Sequence, residues 1–189
     1  MLKGIDISHH NKYQFVDGSL NINSHDFVMI KATEGRSFED PMLEHYLEVL
    51  APEKLYGFYH YARPENNSPI SEAKNFIDTI GVYYKEAMLA LDWEGKALRC
   101  DIHWAVEWLK EVERLTGKKP LFYCSSSYTK KLKPILDNNN GLWVAHYTKD
   151  SQPTVHTYPF YAMWQYTSSP YDKDYFNGDT KAWRRYCKC

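Results

Sequence analysis

Residues 87–94, Ala-Met-Leu-Ala-Leu-Asp-Trp-Glu, are an apolar run that ends abruptly in two carboxylates, Asp92 and Glu94, two positions apart. The run reads as a strand. Side chains alternate faces along a strand, so Asp92 and Glu94 project to one side with Met88 and Ala90, and Leu89, Leu91 and Trp93 to the other. Both acids therefore look into one site. From the strand rise their backbone positions lie roughly 6.5 Å apart, close enough to act on one bond or to perturb each other's ionisation. Taken alone, the stretch reads more readily as an acidic strand end meeting solvent, and the rest of the chain favours the catalytic reading.

Working outward, similar short apolar segments recur with helical patterns between them, which predicts an α/β architecture with parallel strands. Strands are expected at 4–8, 27–33, 55–62, 87–94, 121–125, 142–147, 162–166 and, more weakly, 172–176. Asp40-Pro41 has the form of a cap with proline at the first helical position, ahead of Leu43, Tyr46, Leu47 and Leu50. Ser71 is a second candidate cap, before Ala73, Phe76, Ile77 and Ile80, with Gly81 to end the helix. Asp101 is a third, before Ala105, Trp108, Leu109 and Val112, with Gly117 beyond. After Pro134 the helical signal is weak, and 148–158 reads as plain loop.

Eight strands suggest a barrel, but 189 residues is short against roughly 250 for a complete eightfold βα barrel. Several outer helices must be missing. The expectation is a compact, irregular barrel whose second half is mostly strands joined by loops, formed by a single domain over 1–189, with an open doubly wound sheet as the alternative.

Composition narrows the function. The chain is 43% hydrophobic and 25% charged, ordinary for a globular core. Its 23 Lys and Arg against 24 Asp and Glu leave a net charge of -1 and no long basic run, so neither nucleic acid nor an anionic membrane is expected as a partner. Aromatic content is high, 16%, with 16 Tyr and 6 Trp, flat faces with polar tips of the kind sugar rings require. No apolar run reaches transmembrane length, and no basic stretch leads into a signal core, so membrane insertion and a signal peptide are not expected. Cys100, Cys124, Cys187 and Cys189 are too few and too scattered for a disulfide framework; free thiols or one optional disulfide are expected. Cys187-Lys188-Cys189 with His9-His10 fits no standard zinc spacing, so no metal site is expected.

Polar groups gather where the apolar runs end. Asp6 and Ser8 share a face opposite Ile5 and Ile7; Lys31 and Thr33 rise together; Tyr59 and Tyr61 share a face, with His60 on the other. Tyr123, Trp143, His146, Tyr147 and Gln165 close three further segments. In α/β barrels the active site lies at the carboxyl ends of the strands. Each residue has a plainer reading too: Lys31 as an ion-pair partner of Asp6 or Asp92, His60 as a hydrogen-bonded structural histidine, Tyr123 and Trp143 as core aromatics. No Gly-x-Ser-x-Gly elbow or glycine-rich phosphate loop is present, and Cys124 has no evident base, so nucleophilic Ser or Cys catalysis is poorly supported.

The ordered set Gly4-Ile-Asp-Ile-Ser8, Val28-Met-Ile-Lys-Ala-Thr-Glu-Gly35, Gly57-Phe-Tyr-His-Tyr-Ala-Arg63, Leu91-Asp-Trp-Glu94, Leu142-Trp-Val-Ala145 and Trp164-Gln-Tyr166 resembles glycoside hydrolase family 25, the Chalaropsis-type lysozymes of bacteria and phage endolysins. The resemblance runs over essentially the whole chain. It implies a barrel of five βα units and three further strands, cleaving the β-1,4 bond between N-acetylmuramic acid and N-acetylglucosamine in peptidoglycan. The family's Asp-x-Glu pair falls on Asp92 and Glu94, its amino-terminal acid on Asp6 and its last acid on Asp172. Members commonly carry asparagine where Asp174 stands, and register favours Asp172 as the residue facing the site.

On that resemblance, Glu94 is the general acid, its pKa raised by three neighbouring aspartates, and Asp92 stabilises charge or orients the substrate's 2-acetamido group. Asp6 and Asp172 tune the field. Tyr59, Tyr61, Tyr123, Trp143 and Tyr147 are candidates for stacking along the glycan, with Lys31, Arg63 and Gln165 as polar anchors. No metal or organic cofactor is required. The partner is the glycan strand of peptidoglycan, and the place of action the bacterial wall, reached by secretion or as a released phage lysin. The rival functions are a noncatalytic glycan-binding module on this fold and a hydrolase of another N-acetylated glycan such as chitin.

Overall fold

The computed structural model describes residues 1–188, and in it the apolar runs become nine strands: β1 Leu2–Ile7, β2 Phe27–Glu34, β3 Phe38–Glu39, β4 Leu55–Tyr61, β5 Met88–Asp92, β6 Leu121–Ser125, β7 Leu142–Ala145, β8 Met163–Thr167 and β9 Lys173–Phe176. Eight close into a ring in the order β1-β2-β4-β5-β6-β7-β8-β9, and β9 returns to β1. β3 is a two-residue addition antiparallel to the end of β2. The open-sheet alternative is excluded by the β1–β2 and β1–β9 pairings, which leave the ring without an edge.

Helices α1 Lys12–Val16, α2 Leu43–Glu48, α3 Pro69–Ile80, α4 Ile102–Thr116 and α5 Lys133–Asp137 follow β1, the β2–β3 pair, β4, β5 and β6. Loops connect β7, β8 and β9, and α6, Thr180–Tyr186, ends the described chain. This is an irregular TIM-like (β/α)5(β)3 barrel: the irregular barrel was expected from length and strand count, and its five βα units and three further strands from the family resemblance. All ring neighbours are parallel except β9, which runs antiparallel to both β8 and β1. The expectation of parallel strands fails there because residues 168–172 are too few for a crossover, whereas a short connection suffices for an antiparallel return.

Two caps differ from expectation. Ser68, not Ser71, caps α3: its hydroxyl accepts from Ser71 N at 3.2 Å, and Pro69 takes the first helical position. Asp40 caps no helix. Its carboxylate accepts from Met42 N at 2.9 Å and from His9 N and Nδ1 at 3.0 and 2.7 Å, so it fixes the chain after β1 against the turn before α2. Asp101 and Gly117 do bound α4, and Gly117 sits at φ 75°, a left-handed end that costs glycine nothing.

Apolar side chains form two layers. Phe27, Met29, Met88, Ala90, Leu121, Met163 and Phe176 fill the barrel interior, which Trp183 of α6 plugs at its amino end. Ile5, Val28, Ile30, Phe58, Leu89, Leu91, Phe122 and Val144 face outward beneath the helices. With the interior filled below, the inward positions at the carboxyl ends of the strands are free to be polar. Among the described residues no helix is long and apolar enough to cross a membrane. Cys100, Cys124 and Cys187 are free thiols, and Cys189 lies outside the described residues.

Candidate active site

The carboxyl ends of the parallel strands enclose a cavity of about 270 Å3. Asp6 enters it from β1, Lys31 from β2, Tyr59 and Tyr61 from β4, and Asp92 from β5, with Glu94 two residues further on in extended backbone. Tyr123 of β6, Trp143 of β7, Tyr147 just beyond it and Gln165 of β8 complete the far wall, and Asp172 hangs over the rim immediately before β9. Four acids distant in sequence thus meet in one concavity. A larger hollow of about 410 Å3 lies at the opposite end of the barrel, where Lys54, Glu53, Lys85 and Glu86 are scattered charges without a convergent carboxylate pair.

Arg63 does not reach the cavity. Its guanidinium donates to Glu34 Oε1 at 2.7 Å and lies 4.7 Å from the centre of the Tyr61 ring. Lys31 donates to the other oxygen of the same carboxylate at 2.6 Å, so it pairs with Glu34 and not with Asp6 or Asp92. Thr33 does not accompany Lys31 into the cavity either. A bulge between the two shifts the register with β4 and turns Thr33 to the outer face, where its hydroxyl meets His60 Nδ1 at 2.8 Å.

His60 is structural. It is fully buried behind the barrel wall, stacked on Trp108, and its Nε2 lies 2.7 Å from Glu72 Oε2. Burial holds its pKa below the usual histidine value. A neutral ring then donates from Nε2 to Glu72 and accepts at Nδ1 from Thr33. Glu72 also accepts from Arg63 N at 3.0 Å and Asn67 Nδ2 at 2.8 Å, which ties β4 to the start of α3. Burial likewise pushes the Cys124 thiol up and leaves it inert.

A polar floor lies under the acids. Gln165 donates from Nε2 to Asp6 Oδ2 at 2.7 Å, and its Oε1 accepts from Tyr123 at 3.0 Å and Tyr147 at 2.8 Å. Trp143 Nε1 donates to Asp174 Oδ1 at 2.8 Å. Asp172 and Asp174 both point inward, two residues apart, but at different depths: Asp172 lines the cavity and Asp174 is fully buried beneath it. Ser8, His10 and Asn11 line the mouth as well. Ser8 was legible as sharing the face of Asp6; His10 and Asn11 lie past the end of β1, where strand alternation gives no guidance.

Asp6, Asp92, Glu94, Asp172 and Asp174 each hold a proton more tightly than an isolated carboxyl. Burial is the first cause for each: it raises Glu94, raises Asp92 and Asp6 well above the carboxylate range, and takes Asp172 to about 6 and Asp174 to about 7. The sequence-based expectation that neighbouring aspartates raise Glu94 is therefore corrected, since desolvation leads and the Glu94 charge instead raises Asp92 and Asp172. Lys31 opposes the rise at both Asp92 and Glu94. An aromatic-walled cavity with protonatable carboxyls at its centre is equipped to give a proton to one atom of a bound molecule and to stabilise positive charge on the next.

The chain is similar to several known proteins. The chain is 34% identical over 125 residues to "Uncharacterized protein YegX" of Escherichia coli O157:H7, covering 64% of this chain and 46% of that one. It is 28% identical over 184 residues to the lysozyme of Streptococcus phage Cp-1, covering 90% and 52%. The chain thus spans about half the length of these two curated relatives. The muramidase of Acremonium alcalophilum has the same fold, with TM-score 0.80 and 23% identity over 99% of both chains. Residues 5–175 match the model of the glycosyl hydrolases family 25, and the chain belongs to that family.

Proposed function

We propose that the chain is a peptidoglycan hydrolase, an N-acetylmuramidase that cleaves the β-1,4 bond between N-acetylmuramic acid and N-acetylglucosamine, with residues 1–189 as its catalytic domain. The observation that carries this reading is the convergence of Asp6, Asp92, Glu94 and Asp172 on one aromatic-walled cavity at the carboxyl ends of the barrel strands. Membership of the family and similarity to a phage lysozyme support the same substrate class.

Glycosidic cleavage needs a proton on the leaving oxygen and negative charge beside the oxocarbenium-like sugar. The Glu94 charge raises the affinity of Asp92 for its proton, and burial raises that of both, so the pair holds a proton more tightly than isolated carboxyls do. The general-acid role requires that proton to stand on Glu94 when the glycosidic bond breaks, and from there it is delivered to the leaving oxygen. The charge then rests on Asp92, where Lys31 favours it, and Asp92 either stabilises the sugar cation or orients its acetamido group. Tyr59, Tyr61, Tyr123, Trp143 and Tyr147 supply stacking faces and hydroxyls; Lys31 and Gln165 anchor polar groups. Arg63 acts at one remove, through Glu34. The chain acts at the bacterial wall, on glycan strands.

Clearing of purified cell walls, followed by turbidity and released reducing sugar, tests the reading. Wild type should clear them, and Glu94→Gln should lose about 10²–10⁴-fold in turnover while still binding walls. Wild type that binds walls without releasing sugar overturns the enzyme in favour of a binding module; release from chitin oligosaccharides but not from walls overturns the substrate.

A further inference from the structure

Asp174 is fully buried, and nothing in the proposed chemistry uses it. It faces inward from β9, opposite Gln165 of β8 and Gly4 of β1. Gly4 offers no side chain, so the buried Asp174 carboxyl faces along the barrel wall toward Asp6, two residues further on in β1, and the two acids act on each other electrostatically. The remaining partners of the two are accounted for. Asp174 Oδ1 accepts from Trp143 at 2.8 Å, Asp6 Oδ2 accepts from Gln165 at 2.7 Å, and Asp174 Oδ2 receives no N–H or hydroxyl donor.

Two carboxylates that neighbour each other in a buried site cannot both readily carry charge. A cation could relieve them, but neither residue forms an ion pair among the described residues. The groups that face the pair are Asp172 ahead of β9, Tyr59 of β4, Tyr123 of β6, Tyr147 beyond β7 and Tyr166 of β8, none of them cationic. The Lys31 charge falls on Asp92 and Glu94 instead.

We infer that Asp174 is a positioning residue that shares one proton with Asp6 beneath the cleft, so that Asp6 meets the substrate as half of a singly charged acid pair and not as a free carboxylate. The inference deepens the proposed function and rests on it for its catalytic consequence, though not for the existence of the pair. Burial supports it, holding Asp6 well above the carboxylate range and Asp174 at about 7. As pH rises the pair loses its shared proton and the floor of the cleft goes from one negative charge to two.

Carboxyl carbon-13 NMR on aspartate-labelled protein reads the pair directly. Wild type and the inactive Glu94→Gln variant should each show two coupled aspartate resonances with a step near pH 7. In Asp174→Asn that step should vanish and Asp6 should titrate at least one pH unit lower, because the amide keeps the acceptor for Trp143 and gives Asp6 a permanent N–H. Asp6→Asn should do the same to Asp174, and covers the case in which the first variant fails to fold. In Asp174→Asn the alkaline limb of kcat/KM should flatten from about a hundredfold to about a tenfold fall per pH unit, one ionisation having been removed. If Asp6 and Asp174 are both ionised by pH 5, or if Asp6 titrates identically in Asp174→Asn, the shared proton is refuted. If the titrations behave as stated but wild type releases no sugar, the proposed function falls and the pair stands.

Discussion

Lys31 is the cation to which the acids of the cleft answer, and its own strength is set by Glu34. The Glu34 carboxylate takes the Lys31 ammonium on one oxygen and Arg63 on the other, so the net charge that Asp92 and Glu94 experience is a balance. Removing the Glu34 charge in Glu34→Gln leaves Lys31 and Arg63 uncompensated, and the two acids release their protons more easily. A general acid works only while protonated, so activity should be present below the Glu94 pKa and lost as pH rises through it. The alkaline limb of kcat/KM should therefore move to lower pH in Glu34→Gln, and a limb that stays put would show that Lys31 does not govern the acids. Asp6, Asp92 and Glu94 were legible as residues because strand alternation fixes a face, and Asp172 through the family resemblance. Glu34 was not, because its role depends on two partners, Lys31 and Arg63, that only the fold brings to it.

At the scale of elements, the strand ends are held by contacts behind the wall. Glu72 at the start of α3 gathers His60, Arg63 N and Asn67, and removing it orphans buried donors on β4. Glu72→Ala should cost about 3 kcal/mol in urea unfolding, with the loss shared by activity because β4 carries Tyr59 and Tyr61. Inside the barrel, a Cβ at Gly57 would lie 2.4 Å from Met29 Sδ and 2.7 Å from the backbone oxygen of Met88. The methionine could yield but the β5 backbone could not. Gly57→Ala should thus destabilise by about 1–3 kcal/mol, checked by the midpoint of chemical unfolding. The helices with strong caps and apolar faces, α3 and α4, were legible from sequence. Short α1, α5 and α6 were not, since five to seven residues carry too little periodicity and owe their existence to the surface they cover.

For the molecule as a whole, the cleft is maintained at a cost to the fold. Burial raises the folded-state pKa of Asp92 and Glu94 above the ordinary carboxylate value near 4. Between that value and the raised one the folded chain binds more protons than the unfolded one, so these groups take stability away as pH rises through the window. Asp92→Asn should therefore raise the unfolding temperature while reducing activity, and the gain should be larger at pH 8 than at pH 5; a gain independent of pH would contradict the charged origin of the cost. The sequence by itself determined the number of ring strands and the face on which Asp6, Asp92 and Glu94 lie, because apolar periodicity and side-chain alternation are local properties of a chain; the five βα units came from the family resemblance. Tertiary structure alone decided that β9 returns antiparallel to close the ring, that a bulge turns Thr33 away from Lys31, that Arg63 stands behind the cleft, and that Asp174 lies against Asp6. Those outcomes depend on which strands become neighbours and at what depth a carboxyl is buried, and desolvation is a property of the surroundings that no residue carries in its own sequence.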